Sequence, residues 1–375
     1  MKTLNDIKDL EGKKVLLRVS FNAVEDNKIT GTFRIESHKD TIDYLLDKGA
    51  KVCLVSHISK GGSFKEVVDD FSEIIGKEIK FIGDFDKEKV VREIEDNSLI
   101  LIDNIRHDKR EKKDDEGFAK ELAEPFDIYV NDDFSTSHRK HTSMHAIAKY
   151  LSAYAGFVVE KEIEILSKVF DKSLERKIIV IGGAKTIVKT EVIKKYLEIA
   201  DSVLIGGLVA VVFFKAKGFE TGISPVNEKA LDNIKNIDLN NPQLVLPTDV
   251  MISEDVSGKS GGKPFPAGDI DNTHAILDIG PEAAEYFADL IHHSQLVIWN
   301  GPMGIFEEKD FANGTKKVAQ AVANSEGFSI VGGGESIAFF EKEGLIDKFD
   351  FVSTGGGAML EYLAGKEMPG LDILK

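Results

Sequence analysis

The 375-residue chain has one cysteine, Cys53, inside the apolar run KVCLVSH. A lone thiol forms no internal disulfide and cannot build a multi-cysteine metal site, and it suits a reducing compartment. Positive charge is also in deficit. Lysine and arginine total 48 against 64 aspartates and glutamates, a formal net charge of −16. That balance opposes general binding to nucleic acid or anionic membranes, while leaving room for local cationic pockets. Long apolar runs are missing too: the most apolar stretch, SVLIGGLVAVVFF before Lys215, is too short to span a bilayer. The opening MKTLNDIKDL carries acidic residues and no apolar core, unlike a secretory signal. Neither the Walker pattern nor the dinucleotide fingerprint G-x-G-x-x-G occurs in its glycine-rich segments. No persuasive pairing of a nucleophile with a base stands out. The expectation is a soluble cytoplasmic protein with neither nucleic acid nor membrane as partner.

What is present is alternation. Short β-branched runs (KVLLRV, KVCLVSH, EIKFIG, LILIDN, DIYVND) are separated by helical patterns such as ESHKDTIDYLLDKG. The second half repeats the scheme with KIIVIGG, SVLIGG, LVLPTD, LVIWNG, FSIVGGG and FDFVSTGGG. Such alternation predicts βαβ units and parallel sheets. The length exceeds what one core ordinarily supports, so two domains are expected. Between the halves, GFVVEKEIEILSKVFDKS reads as one continuous amphipathic helix and a natural connector. The expected fold is α/β: two Rossmann-like domains, each a parallel sheet flanked by helices, joined by a hinge helix.

The halves differ in chemistry. All arginines fall at or before Arg176, whereas glycine clusters in the second half at Gly182–Gly183, Gly206–Gly207, Gly332–Gly334 and Gly355–Gly357. Each cluster directly follows an apolar run. In open α/β sheets ligands sit beyond the carboxyl ends of strands, where helix N-termini offer free N–H groups. A single such cluster is explained by a tight turn; several on one sheet would make an anion site. In IIVIGGAKTIVKTEV, Lys185 and Lys189 are four apart just after a glycine pair, which predicts one face of a helix start. Their mutual repulsion, and repulsion from the positive helix end, would be relieved by a bound polyphosphate.

In the first half, Arg18, Arg34, His57, Lys60, Arg106, His138 and Arg139 each fall at or just past a strand end. Any one alone reads as a surface ion pair; their recurrence predicts a basic pocket suited to phosphate and carboxylate. His138, His141 and His145 have a spacing that would suit zinc on a helix face, but STSH before them reads as loop.

In their order these pieces resemble phosphoglycerate kinase over essentially the whole chain. The most specific stretches are GGAK at Gly182, LPTDV at Leu246, DIGP at Asp278, WNGPMGIFE at Trp299, VGGGES at Val331 and STGGGA at Ser353. FN, SH, NIR, AGFVVEKEIE and the spaced pattern VND.F.T.HR.H in the first half agree. The resemblance implies an N-terminal domain, residues 1–155, that binds 3-phosphoglycerate, and an interdomain helix over 156–172. It further implies a nucleotide-binding domain over 173–355, with 356–375 returning to the first domain. The implied reaction is reversible phosphoryl transfer from 1,3-bisphosphoglycerate to MgADP, with Mg2+ accompanying ADP or ATP, in a monomer whose domains close around the ligands.

Carried over by position, the resemblance makes Arg34, Lys185, Gly334 and Gly357 catalytic. Arg18, Ser20, Asn22, His57, Lys60, Arg106 and Arg139 would hold 3-phosphoglycerate. Gly183, Lys185, Lys189, Gly206, Gly207, Asn300, Glu307, Gly332, Gly333, Gly334, Glu335 and Ser336 would hold the nucleotide, with Glu335 also toward Mg2+. Several positions depart from the family pattern. Ser20 stands for an aspartate expected to accept from the substrate hydroxyl, and Lys60 for a phosphate-gripping arginine. Val188 replaces an aspartate, Leu208 fills a usually small position beside adenine, and Glu335 replaces the aspartate serving Mg2+. Asp133 and Ser135 differ from the usual alanine and glycine. An active kinase with a drifted substrate pocket is the leading expectation. A nucleotide-binding protein with impaired catalysis and a kinase for another small carboxylate stand as alternatives.

Overall fold

The computed structural model describes residues 1–375. The chain forms two compact units, Met1–Glu164 with Lys366–Lys375, and Ile165–Gly365. No helix is long and apolar enough to cross a membrane.

The first unit is built on six parallel strands. Across the sheet they run Lys80–Phe81, Leu99–Leu101, Lys51–Val55, Lys14–Arg18, Ile128–Asn131 and Ser152–Ala155. Val15 to Arg18 are all buried, as expected of a strand covered by helices on both faces. Helix starts are chosen by short acceptors: Asp86 caps Lys87–Asp96 by accepting from Lys89 N–H, and Asp115 caps Glu116–Ala123 by accepting from Phe118 N–H. The strand order reverses between Lys14–Arg18 and Ile128–Asn131, where Arg18 and Asn131 are in register. A crevice beyond the carboxyl ends at such a reversal is where this architecture places ligands. The last residues belong to this unit: Asn131 Nδ2 donates to Gly370 O at 2.8 Å, and Gly370 N–H donates to Ser137 O at 2.9 Å.

The second unit also carries six parallel strands, in the order Leu244–Val245, Ser202–Ile205, Lys177–Ile181, Leu296–Asn300, Phe328–Gly332 and Phe351–Ser353. Its reversal falls between Lys177–Ile181 and Leu296–Asn300, so Gly182 and Gly301 leave the sheet side by side. Trp299, the largest fully buried side chain, anchors this edge by donating from Nε1 to Gly301 O at 2.8 Å.

Three features differ from the periodicity-based expectations. ESHKDTIDYLLDKG is helical only over Lys39–Asp47, and its Glu36 ends a separate short helix, Phe33–Glu36. The connector helix is α-helical over Phe157–Ser167 and tightens to a 3-10 turn at Lys168–Phe170. An antiparallel sheet of Asp249–Ser253, Lys263–Pro266 and Ala275–Ile279 supplements the parallel one. Pro247 cannot donate to a ladder, so LVLPTDV ends one strand and starts another instead of continuing. The segment 356–375 is likewise divided: the helix Gly357–Leu363 belongs to the second unit, and Lys366–Lys375 to the first.

Candidate active site

Arg18 ends its strand at the first reversal point with no solvent exposure. Its Nε donates to Ser143 Oγ at 3.1 Å and its Nη1 to Val19 O at 2.6 Å; Nη1 also lies 3.0 Å from Asp133 Oδ2. Nη2 lies 2.9 Å from His57 Nδ1. A guanidinium only donates, so His57 Nδ1 accepts and its ring proton resides on Nε2. Burial, and next the Arg18 charge, hold the His57 pKa well below the usual imidazole range. Burial disfavours the Asp133 carboxylate, yet Arg18, His57 and the hydrogen bonds from Ser135 and Thr136 bring its pKa down to about 2.

Around this pair the crevice is cationic and short of partners. Burial, together with Arg18, lowers the Arg106 pKa to about 10. His141 is lowered to about 4 by burial and then by Arg106, and His138 to about 4 by burial and then by Arg139. Arg106 Nε, His138 Nδ1 and His141 Nδ1 are buried and have no hydrogen-bond partner. Such an orphan costs about 1–3 kcal/mol, and for the Arg106 N–H an anion in the crevice would offset it. Arg34, in the short helix Phe33–Glu36, is lowered by burial, with Asp133 and Glu162 acting against that shift.

The loop after the Arg18 strand is held from three sides. Phe21 is fully buried, 4.7 Å from Phe71 by ring centroids. Ser20 N–H donates to His38 Nε2 at 2.9 Å, and His38 Nδ1 donates to Asp132 Oδ2 at 2.7 Å. Asn22 Oδ1 accepts from Ser59 N–H at 2.8 Å, and Asn22 Nδ2 donates to Ser59 Oγ at 3.0 Å. Arg106 Nη1 donates to the same Ser59 Oγ at 3.1 Å. Lys60, which the resemblance places toward the substrate phosphate, is exposed and ion-paired with Glu25. The three histidines share no helix face: the helical turn Ala146–Lys149 begins after His145, which pairs with Asp114 at 2.8 Å.

In the second unit a cavity of about 270 Å³ opens where the parallel and antiparallel sheets meet. Its walls are largely apolar, including Leu208, Val250, Ile276, Leu277, Met303 and Phe306. Gly183, Gly207, Glu307 and Glu335 supply the polar edge. Lys189 is buried and donates to Gly182 O, and burial lowers its pKa to about 8, with Glu335 opposing the shift. Gly183 has φ +77, and a β-carbon there would stand 2.8 Å from Lys189 Nζ, so only glycine keeps this approach open. An apolar slot ending in bare backbone and a buried ammonium suits a nucleotide: base in the slot, phosphates at the glycines.

The phosphoglycerate kinase family model matches residues 4–366. The chain belongs to the phosphoglycerate kinase family. It is 42% identical to the phosphoglycerate kinase of Dictyoglomus turgidum, covering 100% of this chain and 99% of that protein. It is 40% identical to that of Finegoldia magna, covering 100% and 98%. A crystal structure of phosphoglycerate kinase from Pyrococcus horikoshii OT3 superposes with a TM-score of 0.89 at 32% identity, covering 100% of this chain and 98% of that one.

Among the positions that the family resemblance singles out, Arg18, His57 and Arg106 gather in the first crevice. Gly183, Gly207, Glu307 and Glu335 line the second cavity. Lys185 and Lys189 do not share a face: Lys185 is the exposed N-cap of Thr186–Ile199, and Lys189 turns inward. Gly206 precedes the helix Gly207–Ala216, donating to Ile181 O at 2.8 Å. Asn300 Nδ2 donates to Gly356 O at 3.2 Å, and Ser336 Oγ accepts from Gly301 N–H at 2.9 Å, so both brace glycine turns. Gly332 lies in its strand between Asn300 and Ser353. Gly333 caps the helix Gly334–Lys342, and the β-carbon positions of Gly334 and Gly357 face open space. Arg139 is exposed at the rim. Ser59 and the His38–Asp132 pair were not legible as site residues, because each acquires its partners only across the sheet. The antiparallel strands that wall the cavity were equally hidden.

Proposed function

We infer that this chain catalyses reversible phosphoryl transfer between 1,3-bisphosphoglycerate and ADP, giving 3-phosphoglycerate and ATP. Family membership across the chain supports the reaction. The observation that carries the site assignment is the cationic crevice at Arg18, with a buried Arg106 N–H and two buried histidine nitrogens left unpaired beside it. There Arg18, Arg106, Arg139 and His57 hold the 3-phosphate end of the substrate, and Arg34 neutralises charge on the acyl phosphate.

In the second unit the apolar cavity takes the base, Glu307 faces the ribose, and Lys185, Lys189 and the glycine turns take the phosphates. The oxygen that gains or loses the phosphoryl group is a carboxylate, so no proton must be removed. Positioning and charge neutralisation carry the transfer. Glu335 offers one carboxylate beside Gly183 and Lys189, a donor set that fits Mg2+, which takes one or two carboxylates plus phosphate oxygens. Asp278 lines the same cavity, but its oxygens accept from Ile279 and Gly314 N–H groups. When bound, Mg2+ supplies charge neutralisation to the nucleotide phosphates. A monomeric, cytoplasmic enzyme is the accompanying reading.

The test is a coupled assay with 3-phosphoglycerate and MgATP, following NADH oxidation by added glyceraldehyde-3-phosphate dehydrogenase. Turnover that Arg34→Ala abolishes supports the assignment. No turnover at high substrate refutes it.

A further inference from the structure

Ser20 has no charge to offer, and only 1% of its surface is exposed. Its hydroxyl lies 2.8 Å from Ser135 Oγ, which lies 2.6 Å from Asp133 Oδ1. The direction of this chain follows from its buried end. Asp133 is ionised beside Arg18 and can only accept, so the single hydroxyl proton of Ser135 goes to it. Ser20 is therefore the donor to Ser135. With its proton committed, Ser135 Oγ has only acceptor capacity left. Ser20 and Asp133 are closed to solvent, whereas Ser135 is half-buried, so Ser135 is the member of the chain with surface open to a small molecule. The surroundings are those of the substrate crevice, since the Asp133 charge acts on Arg34, His57, Arg106 and His138.

We propose that Ser135 is a specificity-determining residue whose hydroxyl oxygen accepts a hydrogen bond from the hydroxyl next to the reacting carboxylate, the 2-hydroxyl of 3-phosphoglycerate. This rests on the kinase reading above and names the group that recognises its substrate. A site with acceptor capacity alone selects a donor; a carbon bearing hydrogen or a keto oxygen leaves it unpaired. The arrangement presents the Asp133 charge to the substrate through one hydroxyl, that of Ser135. It avoids placing a carboxylate against a substrate that is itself a phosphate and a carboxylate.

The experiment compares wild type and Ser135→Ala on 3-phosphoglycerate and on its 2-deoxy analogue, 3-phosphooxypropanoate, at saturating MgATP. Wild type is expected to prefer the hydroxylated substrate roughly 10- to 100-fold in kcat/KM. Ser135→Ala loses that preference by slowing on 3-phosphoglycerate alone, with KM for MgATP unmoved, and Ser135→Thr restores it. Equal losses on both substrates, or a preference that survives in Ser135→Ala, overturns the proposal. A wild type that turns over 3-phosphoglycerate without any preference overturns it while leaving the kinase reading intact. A wild type inactive on both substrates overturns the two together.

Discussion

Arg18 Nη1 and Asp133 Oδ2 stand 3.0 Å apart, both side chains without solvent exposure, where the strand order of the first sheet reverses. The cation that heads the proposed substrate crevice is thus held by an anion from the neighbouring strand's loop. Asp133→Ala leaves a buried guanidinium unpaired and should cost roughly 3–5 kcal/mol, read as a lower denaturant midpoint. The folded Asp133 pKa, about 2, lies below the ordinary carboxylate value. Its stabilisation is therefore present above about pH 4 and lost as pH falls towards 2. A stability profile flat through that window would contradict the pairing.

Lys189 makes the opposite link. Its folded pKa, about 8, lies below the ordinary lysine value, so the unfolded state binds more protons above pH 8 and folding stability rises from there towards about 10. Nucleotide phosphates favour the charged form, so KM for MgATP should increase as pH passes 8. In Lys189→Met, KM should be raised at neutral pH and should lose this dependence.

His141 is held at about 4 by burial and by Arg106, with its Nδ1 unpaired. A bound phosphate raises that pKa, so 3-phosphoglycerate binding at pH 5 should take up a proton. Calorimetry in buffers of different ionisation enthalpy measures the uptake, and His141→Gln should reduce it.

Lys60 and Arg106 separate exposure from function. Lys60 forms an exposed ion pair with Glu25, a contact worth about 0–1 kcal/mol. Lys60→Ala should change KM for 3-phosphoglycerate by less than about 3-fold, consistent with that range. Arg106→Ala removes a half-buried cation and should cost at least about 10-fold in kcat/KM. The reverse ranking would restore the phosphate-gripping role expected of Lys60.

The two α/β sheets, the strand–glycine–helix turns and the family are legible along the linear chain, because strand periodicity, turn residues and motif order are written within a few residues of each other. Gly183 and Gly333 were recognisable for the same reason: their positive φ values follow an apolar run and precede a helix. What the charged and hydroxyl groups do depends on contacts made in the folded chain. The closeness of Ser20 and Ser135, 115 residues apart, is set by strand pairing, and the direction of their hydrogen bond by the charge on Asp133. Lys189 turned inward and Lys60 outward although both follow a strand end, because the first found a buried carbonyl and the second an exposed carboxylate. Local pattern encodes backbone conformation. Protonation, hydrogen-bond direction and ligand access depend on atoms brought together from distant parts of the chain.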